Sequence, residues 1–274
     1  MATQTATRIG KLFDARKAEG RKVFIAYLTG GDPTPSNTVE LVLDLERAGV
    51  DLIELGVPFS DPIADGPVIQ RASDRALRAG ANLPGLLENV KEIRRHSQIP
   101  LLLFSYLNPL LRYGFEKLAT DASNAGIDGV LLTDLSVEEA TGPVERLRER
   151  GLDTVFLAAP TSSERRLRLV AEHSSGFIYL VSRTGVTGEQ SSLSGAAGPL
   201  IERTRKLTDL PLALGFGIST AAQVKEVAEI ADGVVVGSAI VKCIEANGNA
   251  PDLIPKVEEF VRNLTTPLAV PSRI

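Results

Sequence analysis

A short junction between a helix and a strand recurs along the chain and restricts its fold more than any other feature. It stands at 48–51 (AGVD), 125–128 (AGID), 150–153 (RGLD) and, more loosely, 230–233 (IADG), each time before a run rich in valine or leucine. Glycine often ends a helix, and the apolar residue after it can pack before the strand begins. Repetition of this unit predicts a chain of successive strand–helix pairs.

Hydrophobic patterning predicts eight strands with helices between them. The predicted strands are 23–28, 51–56, 100–105, 128–132, 153–157, 176–181, 211–215 and 233–236. Helical patterns cover 36–48, with Ser36 as the cap, and 67–78, 83–95, 115–124, 137–150, 163–173, 197–207, 221–230, 239–246 and 252–263. This alternation predicts an α/β fold of the (β/α)8 TIM-barrel type.

The chain ends and its continuity complete the predicted architecture. An amphipathic stretch at 7–19 adds an N-terminal helix before the barrel, with Ile9, Leu12 and Phe13 on one side. An open doubly wound sheet is the alternative, although no GxGxxG opens an early helix, which argues against its dinucleotide-binding form. Because no linker interrupts the pattern, we expect one domain that spans residues 1–274.

Composition excludes several classes of partner and site. The net charge is -4 and no basic run occurs, so neither nucleic acid nor an anionic membrane is an expected partner. The single cysteine, Cys243, excludes an intrachain disulfide and a multi-cysteine metal site. No apolar run has transmembrane length, and the first residues lack a signal-peptide core. We therefore expect a cytoplasmic protein.

Residues 51–67 (DLIELGVPFSDPIADGP) contain the most informative pair of acids. Glu54 lies within an apolar strand, where an ionised carboxylate without a partner costs several kcal/mol or acquires a raised pKa. A proline-rich loop connects it to Asp65, and the next helix starts at Pro67. The pair suits general acid/base chemistry. The alternative is structural: an ion pair at the strand end for Glu54, and a turn or cap for Asp65.

Other kinds of catalytic group are absent from the predicted carboxyl ends of the strands. The two histidines, His96 and His173, lie near helix ends on the opposite face, and no lysine lies inside a strand to form a Schiff base. There is no ligand cluster for zinc, so we predict no metal site, although magnesium held by carboxylates stays open. Carboxylate acid/base chemistry is what remains.

Two glycine-rich turns follow the seventh and eighth predicted strands, at 215–219 (GFGIS) and at Gly237-Ser238. Loops in these places are the usual phosphate site of such barrels, and the second turn opens a helix. Ordinary tight turns are the alternative. After the sixth strand, residues 182–195 are small and polar, which is typical of a lid that orders only with ligand; a connection without function is the alternative.

Several longer strings resemble the alpha subunit of tryptophan synthase. They are 54–67 (ELGVPFSDPIADGP), Asn-Pro within 107–110, 179–188 (YLVSRTGVTG), 215–219 (GFGIS) and 237–242 (GSAIVK), in order over nearly the whole chain. The first string is highly specific. The resemblance implies a lyase that cleaves indole-3-glycerol phosphate to indole and glyceraldehyde 3-phosphate. It also implies that indole passes to a beta subunit in an α2β2 complex, and that pyridoxal phosphate belongs only to that beta subunit.

The resemblance further implies roles for individual residues. Glu54 matches the acid/base carboxylate and Asp65 the carboxylate that holds the indole N–H, while Thr187 matches a lid residue that would bond Asp65 on closure. The expected substrate-binding residues are Tyr106, Asp134, Tyr179, Arg183, Thr187, Gly188, Phe216, Gly217, Gly237 and Ser238. The expected contacts with the beta subunit, on two rigid loops, are Pro58, Asp61, Pro62, Asn108 and Pro109.

One loop departs from the family pattern, and two other functions compete with this one. Asp134-Leu135-Ser136 replaces the frequent Asp-Leu-Pro or Asp-Val-Pro, so the resemblance does not determine the shape of that loop. A different phosphate-binding barrel lyase or isomerase would share the glycine turns but not the Glu54–Asp65 loop. An inactive barrel that regulates a partner is the other rival, and the presence of both carboxylates argues against it.

Overall fold

The computed structural model describes residues 7–181, 193–215, 217–248 and 250–269, with the backbone alone for 193–196. Its parallel strands are short and almost entirely buried, as expected for strands covered by helices. They are β1 (Val23–Thr29), β2 (Leu52–Gly56), β3 (Leu101–Ser105), β4 (Gly129–Leu132), β5 (Asp153–Val155), β6 (Leu157–Ala158), β7 (Ile178–Val181), β8 (Leu212–Gly215) and β9 (Gly233–Val236).

The helices follow the strands along the chain. They are α1 (Arg8–Ala18), α2 (Asn37–Arg47), α3 (Pro67–Arg78), α4 (Leu83–Arg94), α5 (Leu107–Tyr113), α6 (Phe115–Ala125), α7 (Thr141–Glu149), α8 (Glu164–His173), α9 (Leu193–Arg205), α10 (Ala221–Ala228), α11 (Ser238–Asn247) and α12 (Leu253–Thr265). Two short 3-10 helices complete the described elements, at Val137–Glu139 and Thr266–Leu268.

The sheet curls into a barrel whose seam lies within one segment. The strand order is β5-β4-β3-β2-β1-β9-β8-β7-β6, and every pairing is parallel. Only Phe156 separates β5, which pairs with β4, from β6, which pairs with β7. The predicted strand at 153–157 is therefore one barrel position split in two. The TIM barrel is confirmed, and an open sheet does not fit this pairing.

The recurring junction has a structural explanation. Gly49, Gly126 and Gly151 have φ of 95°, 102° and 74°, a left-handed conformation that glycine adopts without strain. The aspartate that follows ties neighbouring strands together at the amino-terminal end of the barrel. Asp51 accepts a hydrogen bond of 2.8 Å from the Phe24 N–H, and Asp128 accepts one of 2.8 Å from the Leu101 N–H. These acids are structural and lie far from the carboxyl ends of the strands.

Strand alternation divides the core into two layers. In β2, Ile53 and Leu55 pack between the sheet and the helices, whereas Leu52 points into the barrel. Because successive side chains alternate, Glu54 shares the inward face with Leu52. Helix α1 closes the floor of the barrel with Ile9 and Phe13, which are buried against the same inner layer. The predicted N-terminal helix is thus a plug below the site.

Three local predictions need correction. Ser36 precedes α2, but its side chain makes no capping bond; it bonds the Thr34 side chain at 2.8 Å instead. The predicted helix at 137–150 is broken by Ala140 into a 3-10 turn and α7. Helix α5 was not predicted, because its short sequence LNPLLRY carries a proline and little more than one turn of periodicity. No helix in the described parts of the chain is both long and apolar enough to cross a membrane.

Candidate active site

Glu54 is a carboxyl group enclosed by the barrel. It is 1 % exposed, and its neighbours in the strand register are Tyr27 and Leu102. Its Oε1 atom is buried and finds no hydrogen-bond partner among the residues that the structure describes. Burial raises the pKa of Glu54 to about 8, because the charged form loses its hydration. Near neutral pH this group therefore holds a proton that it can give away.

Asp65 lies at the end of the proline-rich loop, directly before Gly66 and α3. Burial raises the pKa of Asp65 to about 6, and a hydrogen bond from the Tyr106 hydroxyl opposes that rise. The same hydroxyl accepts a bond of 2.9 Å from the Ala64 N–H, so Tyr106 fastens the loop to the top of the barrel. Asp65 is consequently held in place, and it is ionised at a pH where Glu54 is still neutral.

A cavity of about 360 Å³ joins these two acids to the glycine turns. Its wall contains Glu54 and Asp65 together with Gly217, Gly237 and Ser238. Among the described residues, it also contains Tyr27, Ala64, Gly66, Val68, Ile69, Phe104, Tyr179, Ile218, Ser219, Val235, Ala239 and Lys242. The structure thus brings together six of the predicted site residues, including Tyr179.

Two tyrosine rings fill the space above glycines at strand ends. A Cβ at Gly56 would collide with the Tyr27 hydroxyl oxygen, and a Cβ at Gly215 would collide with that of Tyr179. Tyr27 also packs edge-on against Phe104, with ring centroids 5.2 Å apart. Burial, with the nearby Glu54 charge, raises the pKa of Tyr179, so its hydroxyl stays neutral. The result is a flat apolar slot with neutral hydroxyl groups.

The glycine turns have the form expected of an anion site. Gly217 has φ of 78°, and no atom of the described residues lies within 4 Å of the position that its Cβ would occupy. Gly237 precedes α11, whose first N–H groups have no partner within the helix and carry its positive dipole end. Both turns open onto the cavity at the side of Ser238. This end of the cavity can take a phosphate group.

Other predicted residues lie elsewhere. Tyr106 and Asp134 do not line the cavity: Asp134 accepts a hydrogen bond of 2.7 Å from the Leu107 N–H and so holds the start of α5. Asn108 and Pro109 belong to that helix rather than to a loop, which corrects the prediction of two rim loops. Pro58, Asp61 and Pro62 are in the loop between β2 and α3, as predicted. Arg183, Thr187, Gly188 and Phe216 fall outside the described residues.

Among the wall residues that were not assigned as site residues from the sequence are Tyr27, Phe104 and Lys242. The predicted strand 23–28 puts Tyr27 on the active-site face, but nothing in the local sequence separates Tyr27 or Phe104 from core aromatics. Lys242 stands four residues after Ser238, one helical turn along α11, and that spacing was the available signal. For metals, the described residues contain no group of three or more histidine, cysteine, aspartate or glutamate side chains placed to hold an ion.

Comparison with known proteins agrees with this geometry. The profile of the family described as "Tryptophan synthase alpha chain" matches residues 13–268. A relative of that name from Solibacter usitatus (strain Ellin6076) is 60% identical over 258 residues, which are 94% of this chain and 97% of the relative. Another from Geobacter sp. (strain M21) is 48% identical over 94% of this chain and 96% of its own length.

Solved structures agree with the sequence relatives. A tryptophan synthase alpha chain from Legionella pneumophila subsp. pneumophila superimposes with a TM-score of 0.89 at 33% identity, covering 98% of this chain and 100% of that one. A tryptophan synthase structure from Mycobacterium tuberculosis gives 0.88 at 36% identity, with coverage of 97% and 100%. The arrangement of Glu54, Asp65 and the glycine turns is thus found in a chain that belongs to the tryptophan synthase alpha chain family.

Proposed function

We propose that Glu54 and Asp65 carry out the reaction of this family, the cleavage of indole-3-glycerol phosphate to indole and glyceraldehyde 3-phosphate. The observation that carries the proposal is the Glu54 carboxyl group. It is buried, its Oε1 atom has no hydrogen-bond partner in the described part of the chain, and its cavity also contains a second acid and two glycine turns suited to an anion. A structural ion pair does not explain the buried position of Glu54, because no cationic partner for it is found among the described residues.

Glu54 acts first as an acid and then as a base. With a pKa of about 8, it is protonated at neutral pH and gives its proton to C3 of the indole ring. The ring then carries a positive charge and becomes an electron sink. The Glu54 carboxylate takes the proton of the side-chain hydroxyl, a carbonyl forms, and the carbon–carbon bond breaks with its electron pair returning to the ring. Glu54 regains its proton, so the cycle is balanced.

Asp65 stabilises the positive charge that develops at the ring nitrogen. Its pKa of about 6 leaves it ionised at neutral pH, and Tyr106 holds it through the hydrogen bond described above. A fixed carboxylate in a partly dry site interacts with developing charge more strongly than it would in water. Tyr27, Phe104 and Tyr179 offer the slot for the flat ring. The phosphate then occupies the turns at Gly217 and Gly237.

The proposal is tested by turnover of indole-3-glycerol phosphate by the isolated chain. Glu54→Gln removes the transferable proton but keeps the shape, so we expect turnover to fall by roughly 10²–10⁴-fold while glycerol 3-phosphate still binds. Glu92→Gln, an exposed change on α4, is the matched control and should keep full turnover. Near-normal turnover in a folded Glu54→Gln protein would remove Glu54 from the acid/base role.

We also propose that the rim around the cavity binds a beta subunit, as the name of the family's complex implies. Two large apolar side chains there are exposed: Ile63 at 88 % and Leu111 at 57 %. Exposed apolar groups beside a functional cavity are typical of protein-binding surfaces. In this proposal pyridoxal phosphate belongs to the partner, and the chain is one cytoplasmic domain. A single cooperative unfolding transition would support the one-domain assignment.

A further inference from the structure

Lys242 lies on the wall of the active-site cavity, on the side of the glycine turns. It follows Ser238 by four residues in α11, so the two side chains share one face of the helix. Ser238, Ala239 and Gly217 line the same cavity. Among the described residues of that wall, Lys242 is the only one with a positive charge, whereas Glu54 and Asp65 are acids.

The nearest acid on the same helix is already bound by other cations. Glu245 follows Lys242 by three residues, close enough for an ion pair. Its two carboxylate oxygens instead accept bonds of 2.7 and 2.8 Å from Arg71 and one of 2.8 Å from Arg75. These contacts, led by the Arg71 hydrogen bond, lower the pKa of Glu245 to about 2. Within the described part of the chain, no ion pair is recorded for Lys242, so its charge is available to a ligand.

The expected substrate brings the opposite charge to this end of the cavity. A phosphate monoester carries roughly 1.5 to 2 negative charges at neutral pH. The end of a helix supplies only about half a positive charge, and Asp65 adds a negative one to the same cavity. A lysine on a flexible stem is a common phosphate ligand that acts as a point charge.

We propose that Lys242 binds the phosphate group of the substrate and selects phosphorylated over unphosphorylated ligands. The proposal rests on the function proposed above and deepens it by adding a side-chain cation to the backbone turns. Arg71 and Arg75 contribute indirectly, because they occupy Glu245 and so leave the ammonium group of Lys242 free to face the cavity. The interaction concerns substrate affinity and leaves the proton transfers to Glu54.

The test separates binding of the phosphate from binding of the ring. Lys242→Met is compared with Lys242→Arg and with Lys256→Met, a lysine of α12 that pairs with Asp252 at 3.0 Å outside the cavity. Calorimetry measures glycerol 3-phosphate and indole as separate probes. For Lys242→Met we expect glycerol 3-phosphate to bind about tenfold more weakly, which is about 1.4 kcal/mol, with indole binding unchanged. Lys242→Arg and Lys256→Met should bind both probes nearly as the unmodified chain does.

Steady-state kinetics and salt give two further readouts. The KM for indole-3-glycerol phosphate should rise about tenfold in Lys242→Met with kcat within about twofold, the pattern of lost uniform binding. Added salt should weaken glycerol 3-phosphate binding to the unmodified chain more steeply than to Lys242→Met. Unchanged glycerol 3-phosphate affinity in Lys242→Met would overturn the proposal, and so would an equal loss of indole binding, which would indicate a structural role.

These outcomes are distinct from failure of the proposed function. A chain that binds glycerol 3-phosphate through Lys242 but does not cleave indole-3-glycerol phosphate supports the phosphate contact and refutes the lyase assignment. A chain that cleaves the substrate with a KM independent of Lys242 refutes the phosphate contact and supports the assignment.

Discussion

At the scale of single residues, Glu54 is a group that the fold tolerates at a cost. Its carboxyl is buried with an oxygen that has no hydrogen-bond partner among the described residues, an arrangement that usually destabilises a protein. Catalytic sites often keep such groups, because the burial that destabilises the charged form also sets the pKa for proton transfer. The same property that makes Glu54 useful should therefore be visible in the stability of the protein.

The stability of the chain should depend on pH through Glu54, with a definite sign. Its pKa is about 8 in the folded chain and 4.5 in the reference state, so between these values the folded chain holds a proton that the unfolded chain has lost. The free energy of unfolding therefore falls as pH rises through this window. Glu54→Gln cannot ionise and so avoids that loss. Between pH 4 and pH 9, its free energy of unfolding should therefore rise by roughly 3–5 kcal/mol relative to that of the unmodified chain.

Urea unfolding of both proteins across this pH range measures the effect. Asp65→Asn is the control, because it removes a different carboxyl group. Above pH 7 its stability should still show the pH dependence that Glu54 causes. A stability difference between Glu54→Gln and the unmodified chain that stays constant with pH would mean that Glu54 ionises at an ordinary pKa.

At the scale of elements, the site depends on two helices that start at its edge. Asp65 directly precedes α3 by way of Gly66, and Gly237 directly precedes α11. Arg75 of α3 reaches the buried Asp32 through two bonds of 2.8 Å and reaches Glu245 of α11 through another. This network holds the two helices side by side, so that the Asp65 loop and the turn at Gly237 face one cavity.

The two arginines of this network should differ in what their loss costs. Arg75→Met leaves Asp32, whose side chain is 1% exposed, without its cation, so we expect a loss of about 3 kcal/mol. Arg71→Met is the matched control on the same helix. Arg71 is 53% exposed and Glu245 keeps Arg75, so the loss for Arg71→Met should be clearly smaller than that for Arg75→Met. Denaturant unfolding with comparable m-values measures the loss of stability in each variant. Equal losses in Arg75→Met and Arg71→Met would contradict the assigned role of Asp32.

At the scale of the whole molecule, the barrel separates stability from function at its two ends. Helix α1 and the junction aspartates close the amino-terminal end, while the cavity lies at the other end, beside the Asp65 loop and the glycine turns. The exposed apolar side chains Ile63 and Leu111 stand at this open end. A partner that docks on the rim would cover both the apolar surface and the cavity mouth.

Leu111→Glu should weaken the proposed binding to a tryptophan synthase beta subunit by at least about tenfold. A charge buried at an interface core without a partner is costly, whereas on the free chain the residue is exposed and folding is little affected. Leu77→Glu, a 37% exposed position on α3, is the control and should not change binding. Binding is measured by gel filtration of the mixed subunits and by stimulation of lyase turnover. Full stimulation of the Leu111→Glu chain would place the docking surface elsewhere.

Much of the fold and part of the site could be predicted because the signals are local. A glycine–apolar–aspartate junction recurs at β2, β4 and β5, and strand bounds follow from short apolar runs. Glu54 was recognisable because a carboxylate inside such a run is costly, and the glycine turns because they follow the last two strands. Helix α5 and the break at Ala140 were not predictable in this way, since one or two turns carry too little periodicity.

The sequence by itself determined the order of strands and helices, the two acids and the glycine turns, because each depends on neighbours along the chain. Tertiary structure alone decided which side chains meet. Pairing of β1 with β2 brings Tyr27 beside Glu54, and the packing of α3 on α11 pairs Glu245 with two arginines rather than with Lys242. It also turns Asp134 toward the Leu107 N–H, away from the cavity. Contacts between residues far apart in sequence exist only once the sheet has closed, and for that reason no local pattern contains them.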